Sequence, residues 1–430
     1  MLNSTRCLGI LLAFAAAGFF ACGGGGDGRR TVIASAVAQP SGSSASQQPG
    51  GTSQGYTGGS LQGSSSGPQT GIPTISVLYA LVTPDGKSGT ELLSMFGISS
   101  SGSLNGLSGS PLTTGGEGNR NSKSSSVVVT FDRRRVLASH NTSKQVECFT
   151  TQTNGNLVST GLATLSDDPS DLAVHPNGNV AYASLGNSGK VAVIQIDSTT
   201  GALSTAPGSP VAVGSSVRDL DVDPSGRFLA TGHMFGADRG VVVHRLSAVG
   251  DIVTPPAQKV PLPGRAGASV CFGRNGELLL VRDLDRGVYV YRVNTQSGQL
   301  SQVSGSPYSV GGFSSDMAVH PTGNFVYVLR PFSTSEIRGF RIESYGTLTP
   351  LSGFPVKLDS GSGQDNYQAI VCGTSGLSLY AAARGSSQVK GYAVNPMVGV
   401  LAPVGQAVAV PGASATGGTK LVPGALLVLD

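Results

Sequence analysis

Charge is scarce in this sequence: Asp, Glu, Lys and Arg make up 12% of its 430 residues, against about 25% in an average soluble domain. With Gly, Ser, Thr and Val abundant in their place, the composition is that of an all-β protein. The formal net charge of +4 is spread without a basic run or interleaved aromatics, so nucleic acid is not an implied partner. Cysteine is scarce too. Cys7 and Cys22 lie near the N-terminus, while Cys148, Cys271 and Cys372 stand far apart, with no C-x-x-C and no histidine at ligand spacing. This argues against a disulfide framework or a zinc site and leaves those three as small core residues. The five histidines, His140, His175, His233, His244 and His320, form no close pair, so no metal or other cofactor is implied.

Long apolar runs are missing as well, with one short exception. Arg6 precedes an apolar stretch from Leu8 to Phe20 that breaks at Gly23. It is shorter than the roughly 20 residues of a membrane-spanning helix and reads as a signal peptide. Phe19-Phe20-Ala21-Cys22 resembles a bacterial lipobox, which implies cleavage before Cys22 and acylation of its thiol. Residues 1–21 are then the signal peptide and Cys22 the lipidation site; a plain secretory peptide or an uncleaved anchor is the alternative. Residues 22–70, dominated by Ser, Gly, Gln and Thr, cannot bury a core and read as a flexible tether. The chain is therefore expected to be exported and held to a membrane by its N-terminal lipid, on the periplasmic face or at the cell surface. Two short motifs carry nothing: Gly63 to Gly67 fits G-x-S-x-G without a strand–turn–helix around it, and Gly86-Lys87-Ser88 lacks the earlier glycine of a phosphate loop because Leu81 stands there.

Residues 71–430 are organised by repetition. Asp171-Leu-Ala-Val-His-Pro-Asn-Gly178, Asp219-Leu-Asp-Val-Asp-Pro-Ser-Gly226, Ser269-Val-Cys-Phe-Gly-Arg-Asn-Gly276, Asp316-Met-Ala-Val-His-Pro-Thr-Gly323 and Ala369-Ile-Val-Cys-Gly-Thr-Ser-Gly376 superimpose, with glycines 47–53 residues apart. Each unit predicts a strand, a tight turn, a returning strand, a third strand such as Val191 to Ile196, and a fourth closing on Gly-Ser-Pro. Four strands at this period make a propeller blade. Weaker copies around Val127 to Ser139 and Val77 to Ile98 bring the count to seven, if Lys420 to Asp430 completes the first blade and removes its exposed edge. The register of that closure is open, because Val77 to Val82 and Ala425 to Leu429 both look like second strands.

His320-Pro-Thr-Gly-Asn-Phe-Val-Tyr-Val and Asp197-Ser-Thr-Thr-Gly-Ala-Leu, followed by Gly-Ser-Pro, resemble the repeats of the seven-bladed lactonase family, which includes 6-phosphogluconolactonases, and of the related YVTN surface propellers. The absence of Trp argues against ordinary WD repeats. The resemblance implies an all-β propeller of four-stranded antiparallel blades and, if the chain is an enzyme, a lactonase, a carboxylic ester hydrolase. The Pro-His element that often opens blades of the enzymatic members is replaced by Pro169-Ser-Asp171, Val217-Arg-Asp219 and Ser314-Ser-Asp316.

Strand directions select a candidate site. The first strands begin at Asp171, Asp219 and Asp316, and the second strands end at His140, His233, Arg282 with Asp283, Arg330 and Arg384, on the same face. Arg218 lies beside Asp219, and Asp221 is a carboxylate at a mid-strand position where the other repeats hold Ala173, Cys271, Ala318 and Val371. A rim of this kind would take a small anionic ligand. The alternative is that the aspartates bond to loop amides and pair with arginines to tie blades together. His175 and His320 are read as turn residues. Two functions stay in play: a membrane-anchored module that binds a small anion, a carbohydrate or a protein, and an extracytoplasmic lactone hydrolase.

Overall fold

The repeat glycines all sit at positive φ: Gly178 at 76°, Gly226 at 73°, Gly276 at 88°, Gly323 at 68° and Gly376 at 75°. A side chain would be strained there, and the tight turn between first and second strands depends on its absence. The structure, a computed structural model, describes residues 71–85, 88–119, 125–263, 269–331, 335–358, 367–412 and 420–430. The signal peptide, Cys22 and the tether, the G-x-S-x-G match, and Gly86 with Lys87 lie outside them.

Seven antiparallel sheets form the blades of a seven-bladed propeller. Blade 2 is Val127–Val129, Arg135–His140, Gln145–Thr151 and Leu157–Thr164; blade 3 is Asp171–Val174, Val180–Leu185, Lys190–Ile196, Leu203–Thr205 and Val211–Ala212. Blade 4 is Val217–Val222, Phe228–His233, Gly240–Leu246 and Ile252–Pro261; blade 5 is Ser269–Gly273, Leu278–Asp283, Gly287–Val293 and Leu300–Gln302. Blade 6 is Asp316–Val319, Phe325–Arg330, Glu336–Ile342, Leu348–Pro350 and Val356–Lys357; blade 7 is Tyr367–Cys372, Ser378–Ala383, Gln388–Val394 and Leu401–Ala409. Blade 1 joins Val77–Asp85, Gly89–Ile98, Leu104–Gly106 and Leu112–Gly118 to Lys420–Leu429.

The fifth strand in blades 1, 3 and 6 is an outer strand broken in two. In blades 1 and 3 the break is the Gly-Ser-Pro motif, at Gly109 to Pro111 and Gly208 to Pro210. Its serine repairs the ladder: Met95 N donates to Ser110 Oγ (2.8 Å), Val193 N to Ser209 Oγ (2.9 Å) and, in blade 5, Val290 N to Ser306 Oγ (2.8 Å). A side-chain oxygen stands in for the missing backbone acceptor.

Closure follows one register, from Val77 opposite Leu429 to Asp85 opposite Lys420, with a bulge between Leu81 and Val82. Lys420–Leu429 is therefore the innermost strand of blade 1 and Val77–Asp85 its second. The expectation that Ala425 to Leu429 resembles a second strand is corrected here. Both segments are continuously apolar because both are covered on two faces, so pattern alone cannot order them.

The core is divided among seven clusters, each between two neighbouring blades. Leu78, Ala80, Val82, Tyr380, Leu426 and Val428 seal the last junction, between blades 7 and 1. Straps reinforce the packing. The third residue of the second strand donates its phenolic hydroxyl to a turn glycine of the next blade: Tyr79 to Gly155 O (2.8 Å), Tyr182 to Gly250 O (2.6 Å), Tyr327 to Gly399 O (2.8 Å) and Tyr380 to Gly102 O (3.0 Å). His175 and His320 do the same from the turn tetrads, Nε2 donating to Gly226 O (2.9 Å) and Gly376 O (2.8 Å) while Nδ1 accepts from the amides of Asn177 and Thr322. They serve the next blade as well as their own turn. Cys148, Cys271 and Cys372 are buried and form no disulfide among the described residues.

Candidate ligand site at the propeller rim

Because first and second strands are antiparallel, the start of one lies beside the end of the other: Val217 pairs with His233, Ser269 with Arg282, Asp316 with Leu329 and Tyr367 with Ala383. The ends named from the sequence thus share one rim of the disc. What they do there differs by residue type.

The innermost strand of every blade is a sheet edge, and an edge leaves amides without ladder partners. The aspartates fill that need. Asp171 accepts from Leu220 N (3.0 Å) in blade 4 and from Ser126 Oγ (3.0 Å) before blade 2; Asp219 accepts from Val270 N (3.0 Å), Asp221 from Phe272 N (2.8 Å) and Asp316 from Ile370 N (2.8 Å). Each reaches the inner strand of the next blade and is buried. Asp283 accepts from the amides of Asp285 and Arg286, both 2.9 Å away, and burial raises its carboxyl above the usual range. Asp171, Asp219 and Asp316 thus reach from blade to blade as the alternative expects, but through strand amides where it expected loop amides.

The basic residues divide. Arg218 is the extra residue of a bulge between Val217 and Asp219, which turns its half-buried side chain away from the strand's alternation. Arg282 is fully buried and donates to Ser314 O (2.7 Å) and Ser269 Oγ (2.8 Å). Arg384 pairs with Asp85 across the junction of blades 7 and 1. His140 lies between Glu91 and Glu147, and His233 between Thr231 and Ser215.

Arg330 stands in a different setting. It is opposite Glu336 across the hairpin of blade 6, and Lys357 is opposite Glu336 on the other side. Residues directly opposite in antiparallel strands project to the same face, and so does a residue two positions along. Arg330, Glu336, Arg338 and Lys357 therefore share one face of the blade. Glu336 pairs with Arg330 and also with Arg338 (2.9 Å), so one buried carboxylate holds two guanidiniums that are 22% and 34% exposed. Gly311 and Gly312 run over them at φ of 82° and 129°; a Cβ on Gly312 would lie 3.1 Å from Arg330 Nη2. Sequence reasoning named Arg330 but missed Arg338, Glu336 and Lys357. Their signal was a hairpin whose facing positions carry opposite charge. Arg282 and Arg330 fall at the junction of blades 5 and 6, whereas Arg384 and both histidines are elsewhere on the ring.

The family model described as a lactonase, 7-bladed beta-propeller, matches residues 94–218 and 135–412. The chain belongs to the lactonase family of seven-bladed β-propellers. Solved structures similar to this lactonase-family propeller include a protein of Bacteroides fragilis assigned as a 6-phosphogluconolactonase (15% identity, TM-score 0.63, 83% of this chain and 98% of that one). The periplasmic gluconolactonase of Pseudomonas aeruginosa matches at 18% identity and TM-score 0.62, over 81% of this chain and 99% of its own. A protein of Lactobacillus plantarum matches at 15% and 0.60, over 83% and 99%. At such identities the likeness is one of fold. No curated protein matches the lactonase-family chain in sequence.

Proposed function

We propose that this lactonase-family propeller is an extracytoplasmic, lipid-tethered binding protein that takes a small anionic ligand where blades 5 and 6 meet on the rim. The observation that carries the reading is the sharing of Glu336 by Arg330 and Arg338, with Lys357 on the same face. Cations exceed the carboxylate, the guanidiniums are partly exposed, and Glu336 fixes their direction before a ligand arrives. A planar guanidinium can then offer a carboxylate or phosphate two donors at once. Family membership favours a second reading, lactone hydrolysis, in which the same arginines would hold the carboxylate formed when the ring opens. Against it, the aspartates nearest the channel accept strand amides, so a carboxylate acting as general base would have to break a tie between blades.

Titration with gluconate and 6-phosphogluconate, beside turnover of the corresponding lactones, separates the two. Binding without turnover, weakened about tenfold or more in Arg330→Ala, supports the binding protein. Turnover of either lactone supports the hydrolase. Affinity unchanged in Arg330→Ala and Arg338→Ala removes the site. The tether has its own test: Cys22→Ala should move the protein from the membrane fraction to the soluble one, and retention after a high-salt wash would overturn lipidation at Cys22.

A further inference from the structure

A second concave site lies on the opposite face of the disc. The turns between first and second strands, and between third and fourth, share that face. At the junction of blades 2 and 3 they enclose a groove of about 480 Å³ lined by Arg134, Arg135, Thr150, Thr160 and the turn from Ser198 to Thr200. Arg135 is 8% exposed and donates to Thr150 Oγ1 (2.7 Å), Ser198 O (3.2 Å) and Thr199 O (2.9 Å). All three acceptors are neutral, and its Nε is buried without a partner. The nearby Asp197 turns its carboxylate to the amides of Thr199 and Thr200, at 3.0 and 2.7 Å.

A tie between blades explains part of this. Arg245 and Arg341 also reach carbonyls of the next blade, at Ser297 and Met397. It does not explain Arg134, which is exposed on the lip of the groove and whose guanidinium has no hydrogen bond or ion pair among the described residues. Nor does it explain a groove walled by hydroxyls. Thr150 and Thr160 lie 3.3 Å apart on one side, with Thr199 and Thr200 across from them. One free guanidinium, one buried guanidinium without an ion pair, and a set of hydroxyls complement a ligand that carries both an anionic group and several hydroxyls.

We propose that this groove binds a polyol bearing a carboxylate or phosphate, with exposed Arg134 taking the anion, the buried Arg135 guanidinium supplying positive charge from beneath, and Thr160 and Thr199 taking the hydroxyls. It shares no residue with the rim cluster, so either site can fail without the other. The test uses the full chain carrying Arg330→Ala and Arg338→Ala, titrated calorimetrically with 6-phosphogluconate, with glucose as the neutral control. The expected result is one remaining site, no response to glucose, and a loss of about tenfold or more on adding Arg134→Ala or Thr160→Val at an unchanged melting temperature. No binding at millimolar 6-phosphogluconate, or full affinity in Arg134→Ala, overturns the groove. If Arg134→Ala melts early, Arg134→Lys decides: it keeps the charge but not the planar fork, so a weakened affinity supports the site and an unchanged one overturns it.

Discussion

His140 and His233 close the second strands of blades 2 and 4, and both are fully buried. Burial pushes both imidazoles toward the neutral form, yet they end on opposite sides of the ordinary value. At His140 the push is overcome by two carboxylates: Nδ1 lies 2.7 Å from Glu91 Oε2, Nε2 lies 3.3 Å from Glu147 Oε2, and the pKa rises to about 9. At His233 burial prevails. Nδ1 donates to Ser215 O (2.7 Å), Nε2 is 2.8 Å from the Thr231 hydroxyl, and the pKa falls below 6.5. The same repeat position carries a cation between blades 1 and 2 and a neutral ring in blade 4. Burial supplies the same push to each, and the partner determines its outcome.

The largest effect should come from removing the cation. His140→Ala leaves Glu91 and Glu147 facing each other in a buried site, and should cost about 3–5 kcal/mol in urea unfolding. His233→Ala removes hydrogen bonds and leaves a small void, about 1–3 kcal/mol. Equal losses would erase the distinction.

The pH dependence sharpens it. His140 binds its proton more tightly folded than unfolded, so its contribution is complete below pH 6.5 and is lost as pH rises through about 9; the shift corresponds to roughly 3 kcal/mol. His233 and His244 behave in reverse. Burial holds both below 6.5, His244 near 4, so their contribution is present above 6.5 and declines as pH falls toward 4. Urea midpoints from pH 4 to 10 should therefore pass through a maximum near pH 6.5 with a limb on either side, and His140→Gln should flatten the alkaline one. An alkaline limb that survives in His140→Gln would assign it to another group.

The smallest change is expected at a pair that water reaches. Arg384 and Asp85 are 22% and 19% exposed, and Arg384→Ala should cost no more than about 1 kcal/mol, shrinking further in high salt. A loss approaching that of His140→Ala would mean that exposure is a poor guide to these pairs.

The blades were legible because the turn tetrad, the Gly-Ser-Pro break and the apolar strands recur at one period, and each has a local physical cause. Closure was half legible: the sequence pointed to Lys420–Leu429 as the completing segment, but not to its place on the inner edge, which depends on long-range pairing. The candidate site was legible as a rim and not as a set of partners. His140 and His233 read alike because nothing near them in sequence distinguishes them. Glu91 and Glu147 come from other strands, and the only local hint was an acid inside an apolar strand, as in Val146-Glu147-Cys148-Phe149. Glycines without repeat logic were another missed signal. A Cβ on Gly116 would sit 2.1 Å from His140 Cγ, and one on Gly118 2.3 Å from Glu91 Cδ.

The partner of Val77–Asp85 is Lys420–Leu429, so the earliest and latest strands of the propeller are neighbours. Blades 2 to 7 can each assemble from contiguous chain, while blade 1 waits for Lys420–Leu429 with its inner edge open. Closure of the ring is thereby tied to the arrival of Lys420–Leu429. A chain stopped before Lys420 would be an open disc with an apolar, unpaired strand at one end, the kind of surface that recruits other chains. A late nonsense mutation would thus act as an aggregation lesion and not as a mild trim.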